Sequence, residues 1–334
     1  MDKLLGHPLP EDSPRWGVWL IHGYSDHEYA LFYRAHHAAQ DGQALVDAVT
    51  ALFGTGPSLL PRPAVTARAV RRPWRQRIPV RAVARSLADM VQTPSLTWST
   101  QRALTGQARL VSAAVPVAWL RETARALAAS PNDVCLAALA EALRGWLPAR
   151  WLTSEPGRDL QVNLPVSLRE PQERRAVGNR LSAVRIPLSF WEDSPTARVT
   201  AIAQATGRVR TEGMRRVLRA QLRLPQWVVY PLVAQGAQLR YGLDTSGLLA
   251  LRGKLALGAD PIDRAVPALF LHGDHSFAVS FFSYDGQVVV AFTIDRAFGD
   301  IGDPAAMWTD AVRRLWRESV TEVGDPARMT APSP

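Results

Sequence analysis

Cysteine occurs once in the 334 residues, at Cys135, and lysine only twice, at Lys3 and Lys254. A single thiol excludes an intrachain disulfide framework. It lies in the apolar stretch NDVCLAALAEAL, where a free Cys behaves as a small buried hydrophobe. No uninterrupted apolar run reaches the roughly 18 residues of a spanning helix. The N-terminal MDKLLGHPLPEDSPRW has no apolar core of signal-peptide length, and the chain shows neither internal repeats nor low-complexity tracts. The expected setting is cytoplasmic, with any membrane contact peripheral and on the inner face.

Acidic residues are also few: 30 Asp and Glu stand against 39 Lys and Arg, a formal net charge of +9. Because nearly all of that basic excess is arginine in a chain rich in Ala, Pro and Gly, it reads as compositional bias, and no nucleic-acid partner is expected. One segment stands apart. Between residues 57 and 100, Arg62, Arg68, Arg71, Arg72, Arg75, Arg77, Arg81 and Arg85 face a single acid, Asp89. This reads as a solvated basic connection, or as a surface that docks on anionic lipid at about 1 kcal/mol per basic residue, or on the phosphates of a nucleotide-bearing substrate.

What is present is a globular composition, 47% hydrophobic and 21% charged, long enough for two lobes with cores of their own. WGVWLIHGY and EYALFYRAHH read as strands around a turn at Gly23–His27. QALVDAVTALF carries a helical apolar stripe ending at Gly54. Residues 54–100 read as a Pro- and Arg-rich linker with one short helix, VRAVARSLADMV. Ser130 and Pro131 form a helix start, and Pro148 ends that helix near Leu147. LQVNLPVSLR is a strand whose Pro165 argues for an edge or a bulge. NRLSAVRIPLSF is another strand, and Ser194 caps the helix that follows. From 214 to 258 helices alternate with prolines and glycines. SFAVSFFSY and QVVVAFTID flank Asp285-Gly286, a hairpin signal, and a last helix spans 304–318.

The chemistry concentrates in RAHHAAQDG, residues 34–42. Strand alternation would put His37 on the face of Leu31, Tyr33 and Ala35, and His36 with Phe32 and Arg34. A metal site is disfavoured because adjacent strand histidines diverge and no third ligand is spaced nearby; HGDH at 272–275 abuts a turn and lacks a partner. Satisfied polar residues at a strand end are one reading. A general base is the other, since a neutral imidazole can take a proton from a nucleophile attacking an acyl carbonyl. Asp41 would then brace the loop through an arginine.

HHAAQDG fits the HHxxxDG pattern of acyltransferases that share the chloramphenicol acetyltransferase and condensation-domain fold. SPRWGVWLIHG, NDVCLAALAEALRGWL, LPVSLRE, GNRLSAVRIPL and FSYDGQVVVAFTID resemble, in order, segments of the bacterial wax ester synthase/diacylglycerol acyltransferase family, from about Leu9 to about Leu315. The resemblance implies an α/β, two-lobed chloramphenicol acetyltransferase-like (condensation-domain-like) fold of mixed sheets covered by helices. Residues 1–56 would be the remainder of the N-terminal lobe, 57–115 the inter-lobe connection and 116–334 the C-terminal lobe. Met1 lies shortly before SPRW, so the resemblance implies an N-lobe lacking its first strand and helix, through a misassigned start, a subunit that completes the lobe, or decay of the protein. LLALRGKLALGAD replaces the family's Asn-Val-Pro-Gly-like stretch at the channel floor.

By the same resemblance His37 would be the base that deprotonates an acceptor alcohol, directed inward, with His36 outward supporting the motif and Asp41 structural. Arg169 would pair with Asp41, Asn132 and Asp133 would stabilise the C-lobe helix, Gly42 would leave room at the tunnel, and Gly178 and Asn179 would line the substrate channel. The implied reaction is acyl-CoA-dependent O-acylation of a hydrophobic alcohol, with acyl-CoA as substrate, no cofactor and no metal. Ester or amide formation on a carrier-bound or secondary-metabolite acceptor, and an inactive acyl-ligand or partner-binding module, are the alternatives.

Overall fold

The computed structural model describes residues 14–56, 80–92, 95–98, 102–152, 158–170, 176–225, 243–271 and 275–323, with a few isolated positions besides. Strands β1 (Trp16–Ile21) and β2 (Ala30–Ala35) form an antiparallel ribbon in which Trp16 lies opposite Ala35 and Ile21 opposite Ala30. Cross-strand rings pin its register, Trp16 stacking on Tyr33 and Trp19 tilting against Phe32. Helix α1 (Gly42–Phe53) follows, and α2 (Val80–Gln92) lies beyond it. Of the arginine run, Arg62 to Arg77 fall outside the described residues; Arg81 and Arg85 stand exposed on α2.

The main body is a six-stranded mixed sheet. Its strands are β3 (Ala108–Pro116), β4 (Gln161–Ser167), β5 (Leu181–Pro187), β6 (Leu243–Ala250), β9 (Phe277–Tyr284) and β10 (Gln287–Asp295). They run in the order β3–β10–β9–β6–β4–β5. A two-stranded pair, β7 (Ala256–Leu257) and β8 (Asp260–Pro261), sits between β6 and β9 in sequence. Asp285 and Gly286 both take positive φ, 45° and 77°, which closes the β9–β10 hairpin with the strands' own twist.

One face of this sheet is covered by helices α3 (Val117–Ala126), α4 (Pro131–Trp146), α5 (Pro195–Val209) and α7 (Pro304–Val323). Helix α6 (Glu212–Gln221) packs on α2 through Val83, Val217 and Ala220. Ser130 caps α4, and its side chain and that of Asp133 form a reciprocal capping box, with Pro131 in the first turn. From Val134 to Ala140 every residue of α4 is buried. A helix apolar on all sides must be covered on all sides, which fits its position between the sheet and its neighbours α3, α5 and α7. Cys135 lies fully buried there, its carbonyl accepting from the Trp308 indole at 3.1 Å. The chain from α3 to α4, bent by 100°, is apolar enough in sum to approach spanning length, but no single described helix is long and apolar enough to cross a membrane.

Alternation divides β9 between two cores. Phe277, Val279 and Phe281 join the helix-side core, while Phe282 and Tyr284 face the other way and pack with Val46, Leu251 and Leu255 beneath α1. The Tyr284 hydroxyl donates to the Ile262 carbonyl at 2.7 Å and accepts from the Leu255 N–H at 3.0 Å. Helix α1, carrying the histidine motif at its start, is thereby seated on the sheet.

Four expectations change. Strand β2 ends at Ala35, before both histidines. Residues 108–115, expected in the connection, build strand β3, so the sheet begins ahead of the anticipated boundary at 116, and α3 follows where no helix was read. Within 214–258 helix α6 runs to Gln221 as expected, but residues 243–250 form β6, an interior strand, where helices were expected; residues 228–242 lie outside the described set. The pattern was obscured by a bulge between Thr245 and Leu248, where Gly247 has φ 65°. Pro165 lies on β4, an interior strand by order. Yet β4 pairs with β6 only at Val162 and Asn163, so the missing N–H of Pro165 costs no ladder bond on that side.

The bulge is satisfied by side chains, one of them from outside the sheet. Asn132 Oδ1 accepts the Leu248 N–H at 2.8 Å, and Ser246 Oγ accepts the Phe281 N–H at 3.0 Å. Asn132 therefore serves β6 rather than the helix on which it stands, and the cap of α4 is left to Ser130 and Asp133. Replacing Asn132 by Ala leaves the Leu248 N–H unpaired and is expected to cost about 1–2 kcal/mol, read from the urea midpoint. Asn132→Asp, which keeps an acceptor oxygen, should lose less; equal losses in the two variants would show that the hydrogen bond does not hold the bulge.

Candidate active site

The motif begins where β2 stops. His36 N–H donates to the Arg15 carbonyl at 2.7 Å, the last tie to the ribbon. The chain then turns, with Ala39 and Gln40 N–H both donating to the His36 carbonyl at 2.8 and 3.1 Å. The His36 ring closes the same turn, its Nδ1 accepting from Ala38 N–H at 3.1 Å. Because residues 36–40 form a turn, strand alternation does not sort the two histidines, and both are exposed. The expected inward placement of His37 is not found. His37 projects from the turn, and its Nδ1 lies 3.1 Å from the Asn179 side-chain nitrogen.

Asp41 behaves differently. It is 2% exposed and serves as N-cap of α1, with Oδ1 accepting from Ala44 N–H at 3.0 Å. Its Oδ2 accepts from the guanidinium of Arg169, whose side chain is 4% exposed, and from Arg180 N–H at 2.8 Å. Burial by itself would push this carboxyl up. The hydrogen bonds from Arg169, Ala44 and Arg180 outweigh burial and hold it below the ordinary aspartate value. Asp41 is thus a fully used, ionised carboxylate with no oxygen left to carry a proton.

Arg169 lies just past β4, and its Nη2 also donates to the carbonyls of Ala176 and Gly178 at 3.2 and 3.0 Å. Gly178 has φ 108°, a conformation that favours glycine, and it makes a parallel bridge to Gln40. Gln40 in turn accepts from the Tyr33 hydroxyl at 2.9 Å. The segment 176–180 is therefore held against the motif turn at several points. Nearby, Arg180 and Glu173 form an ion pair.

Gly42, the first residue of α1, lies against the tip of the Leu249 side chain. A methyl group there would lie 2.6 Å from Leu249 Cδ1 on β6. The space expected to remain open at a tunnel is filled by Leu249, and Gly42 serves close approach of helix and sheet. Asn132 and Asp133 lie at the start of α4, within the bulge and the cap described above. Asp133 Oδ1 also accepts from Thr206 and from Arg210, at 2.8 and 2.9 Å. His275, from the second histidine cluster, pairs with Asp244 at 3.0 Å, while residues 272–274 lie outside the described set. No group of three metal-ligating side chains occurs among the described residues.

Leu249, the backbone of Arg180 and the carbonyls of Ala176 and Gly178 escaped the reading of the sequence. Backbone groups leave no residue-type signal. Leu249 was hidden by the bulge that shifts the phase of β6.

Residues 1–141 match the wax ester synthase/diacylglycerol acyltransferase catalytic domain, and residues 177–315 match the WS/DGAT C-terminal domain. A Mycobacterium tuberculosis protein, provisionally named a diacyglycerol O-acyltransferase, is 24% identical over 327 residues, covering 87% of this chain and 71% of the relative. A second from the same organism, with the same provisional name, is 30% identical over 235 residues, covering 60% of this chain and 48% of its own length. Among solved structures, the wax ester synthase/diacylglycerol acyltransferase from Marinobacter aquaeolei VT8 superposes with a TM-score of 0.60 at 18% identity, over 97% of this chain and 75% of that one. The starter condensation domain of rhizomide synthetase superposes at 0.59 with 15% identity, over 92% and 70%. The two-lobed fold of those acyltransferases and condensation domains is the fold of this chain.

Asp41→Asn keeps a competent N-cap but removes the charge opposite Arg169. It is expected to cost about 3–5 kcal/mol, chiefly because the buried guanidinium is left uncompensated. The lowered folded pKa of Asp41 means that its stabilisation is full above the ordinary carboxylate value and is lost as pH falls through the folded value. Urea midpoints from pH 7 down to pH 3 check both points. The gap between wild type and Asp41→Asn should stay constant down to about pH 5 and narrow below about pH 4; a gap independent of pH would refute the ionised pair.

Proposed function

The chain belongs to the wax ester synthase/diacylglycerol acyltransferase family, and from that premise we propose that it transfers an acyl group from acyl-CoA to the hydroxyl of a hydrophobic alcohol, with His37 as general base. The observation that carries the proposal is the contrast within the motif. Asp41 is buried and spent on Arg169, Ala44 and Arg180, whereas His37 is exposed and engaged through one ring nitrogen only.

The proton accounting follows from this contrast. His37 takes the proton of the acceptor hydroxyl as its oxygen attacks the thioester carbonyl carbon, giving a tetrahedral oxyanion and an imidazolium. Collapse of the oxyanion breaks the carbon–sulfur bond, and the departing CoA thiolate takes the proton back from His37. The net products are an ester and a free thiol. No covalent enzyme intermediate is required. The one cysteine supports that route, because Cys135 is fully buried and burial pushes its thiol far up, away from a reactive thiolate. His36, with Nδ1 committed to closing the turn, fits a supporting role.

General-base catalysis contributes about 10²- to 10⁴-fold. His37→Ala, at an exposed position, is therefore expected to reduce thiol release by that factor while leaving the urea midpoint unchanged. The measurement is free-CoA production from long-chain acyl-CoA with a panel of fatty alcohols and diacylglycerol. Full turnover by His37→Ala would refute the base. Absence of thiol release from the wild-type protein with every alcohol, alongside activity on amine or carrier-bound acceptors, would move the reaction to the condensation type.

A further inference from the structure

We infer that Asn179 is the positioning residue of His37: its side-chain amide, presented by the segment that Asp41 and Arg169 clamp, orients the imidazole through Nδ1 and leaves Nε2 toward the reacting groups. This rests on the reading of His37 as the base. The amide nitrogen of Asn179 lies 3.1 Å from His37 Nδ1, and both peptide groups flanking Asn179 are held. On one side the Gly178 carbonyl accepts from Arg169 at 3.0 Å. On the other, Arg180 N–H donates to Asp41 Oδ2 at 2.8 Å. The buried ion pair thus grips the peptide on either side of the residue that touches the base, and the Gln40–Gly178 bridge fixes the distance between the two backbones.

A planar amide has two ends of equal size and opposite hydrogen-bonding sense. With the nitrogen facing Nδ1, the neutral ring carries its proton on Nε2. The base needs the other arrangement: a half-turn of the amide, which gives up the 3.4 Å contact from Leu181 N–H to Oδ1, presents Oδ1 to the ring, which then holds its proton at Nδ1 and frees the Nε2 lone pair for the acceptor hydroxyl. Asn179 would in this way select the tautomer as well as the orientation. The charged groups on the surrounding elements are Arg34, Asp41, Arg169, Glu170, Glu173 and Arg180, with His36 alongside. Asp41 is matched by Arg169 and Glu173 by Arg180, so a carboxylate introduced at 179 adds an unmatched charge beside the ring.

The test uses the whole protein with ¹⁵N-labelled histidine, the His37 signals being identified by their absence in His37→Ala. Asn179→Asp, which can only accept, should move the ring toward the Nδ1–H tautomer and raise its titration midpoint by about one unit. Asn179→Ala should leave a mixed, rotationally averaged ring and lower kcat by about 10- to 100-fold, with KM for both substrates changed less than about twofold. Identical tautomer and midpoint in wild type and both variants would overturn the inference, even in an active, His37-dependent enzyme. The spectra need no substrate. A ring that responds to Asn179 in a protein releasing no thiol would uphold the positioning role and overturn the acyl-transfer reading instead.

Discussion

A carboxylate and a guanidinium, both nearly removed from water, set the geometry on which the motif depends. Burying such a pair gains little net stability, because desolvation of the two ions offsets most of their attraction. What the Asp41–Arg169 pair supplies is directional. One carboxylate starts α1 through Ala44, receives Arg169 and receives the backbone of Arg180. One guanidinium reaches the carboxylate and two carbonyls, seven and nine residues away. Apolar side chains of the same volume would fill the space but would not fix the rotation of four backbone groups. Losing either ion would leave the other buried and unmatched, so this arrangement stands or falls as a unit.

The same economy joins the motif to the large sheet. The bulge in β6 displaces the strand by enough to bring Leu249 over the Cα of Gly42, and Asn132 stabilises the bulge from the head of α4. The most deeply buried helix among the described residues is thus tied, through a single side-chain amide and a strand irregularity, to the first residue of the helix that carries the motif. Gly42 and the bulge are complementary: a side chain at 42 would force the tip of Leu249 to move, and without the bulge Leu249 would face the other side of the sheet.

Much of this was legible beforehand, for reasons that differ by element. The caps at Ser130 and Ser194, the Asp285-Gly286 hairpin and the apolar face of α1 are local, and local chemistry is visible in a linear sequence. The pairing of Asp41 with Arg169, 128 residues apart, came from resemblance to a family; nothing in the spacing of the two residues announces it. Strand β6 was missed because Ser246 and Gly247 interrupt the alternation that marks a strand, and β3 because its surroundings are rich in proline and arginine. The roles of Arg180 and Gly178 were invisible because they are played by the backbone. The histidines were misplaced by extending a two-residue period past Ala35 into a turn, where it has no force.

That error bears on how two identical neighbours come to differ. Had the strand continued, the sheet itself would have separated the rings, one to each face. Instead the turn does so by hydrogen bonding: the Nδ1 of His36 is consumed by Ala38, two residues on, while the Nδ1 of His37 meets a residue 142 positions away. The first ring is fixed by its own segment and adds nothing beyond it. The second is fixed by a distant one, so its orientation exists only when the fold has brought 179 to 37. In the proposed reaction, a base arranged in this way would be competent only in the assembled protein. The distant segment that orients it is itself placed by Asp41, four residues further along the same motif, which accounts for the aspartate standing in HHxxxDG although it carries no proton in the proposed reaction.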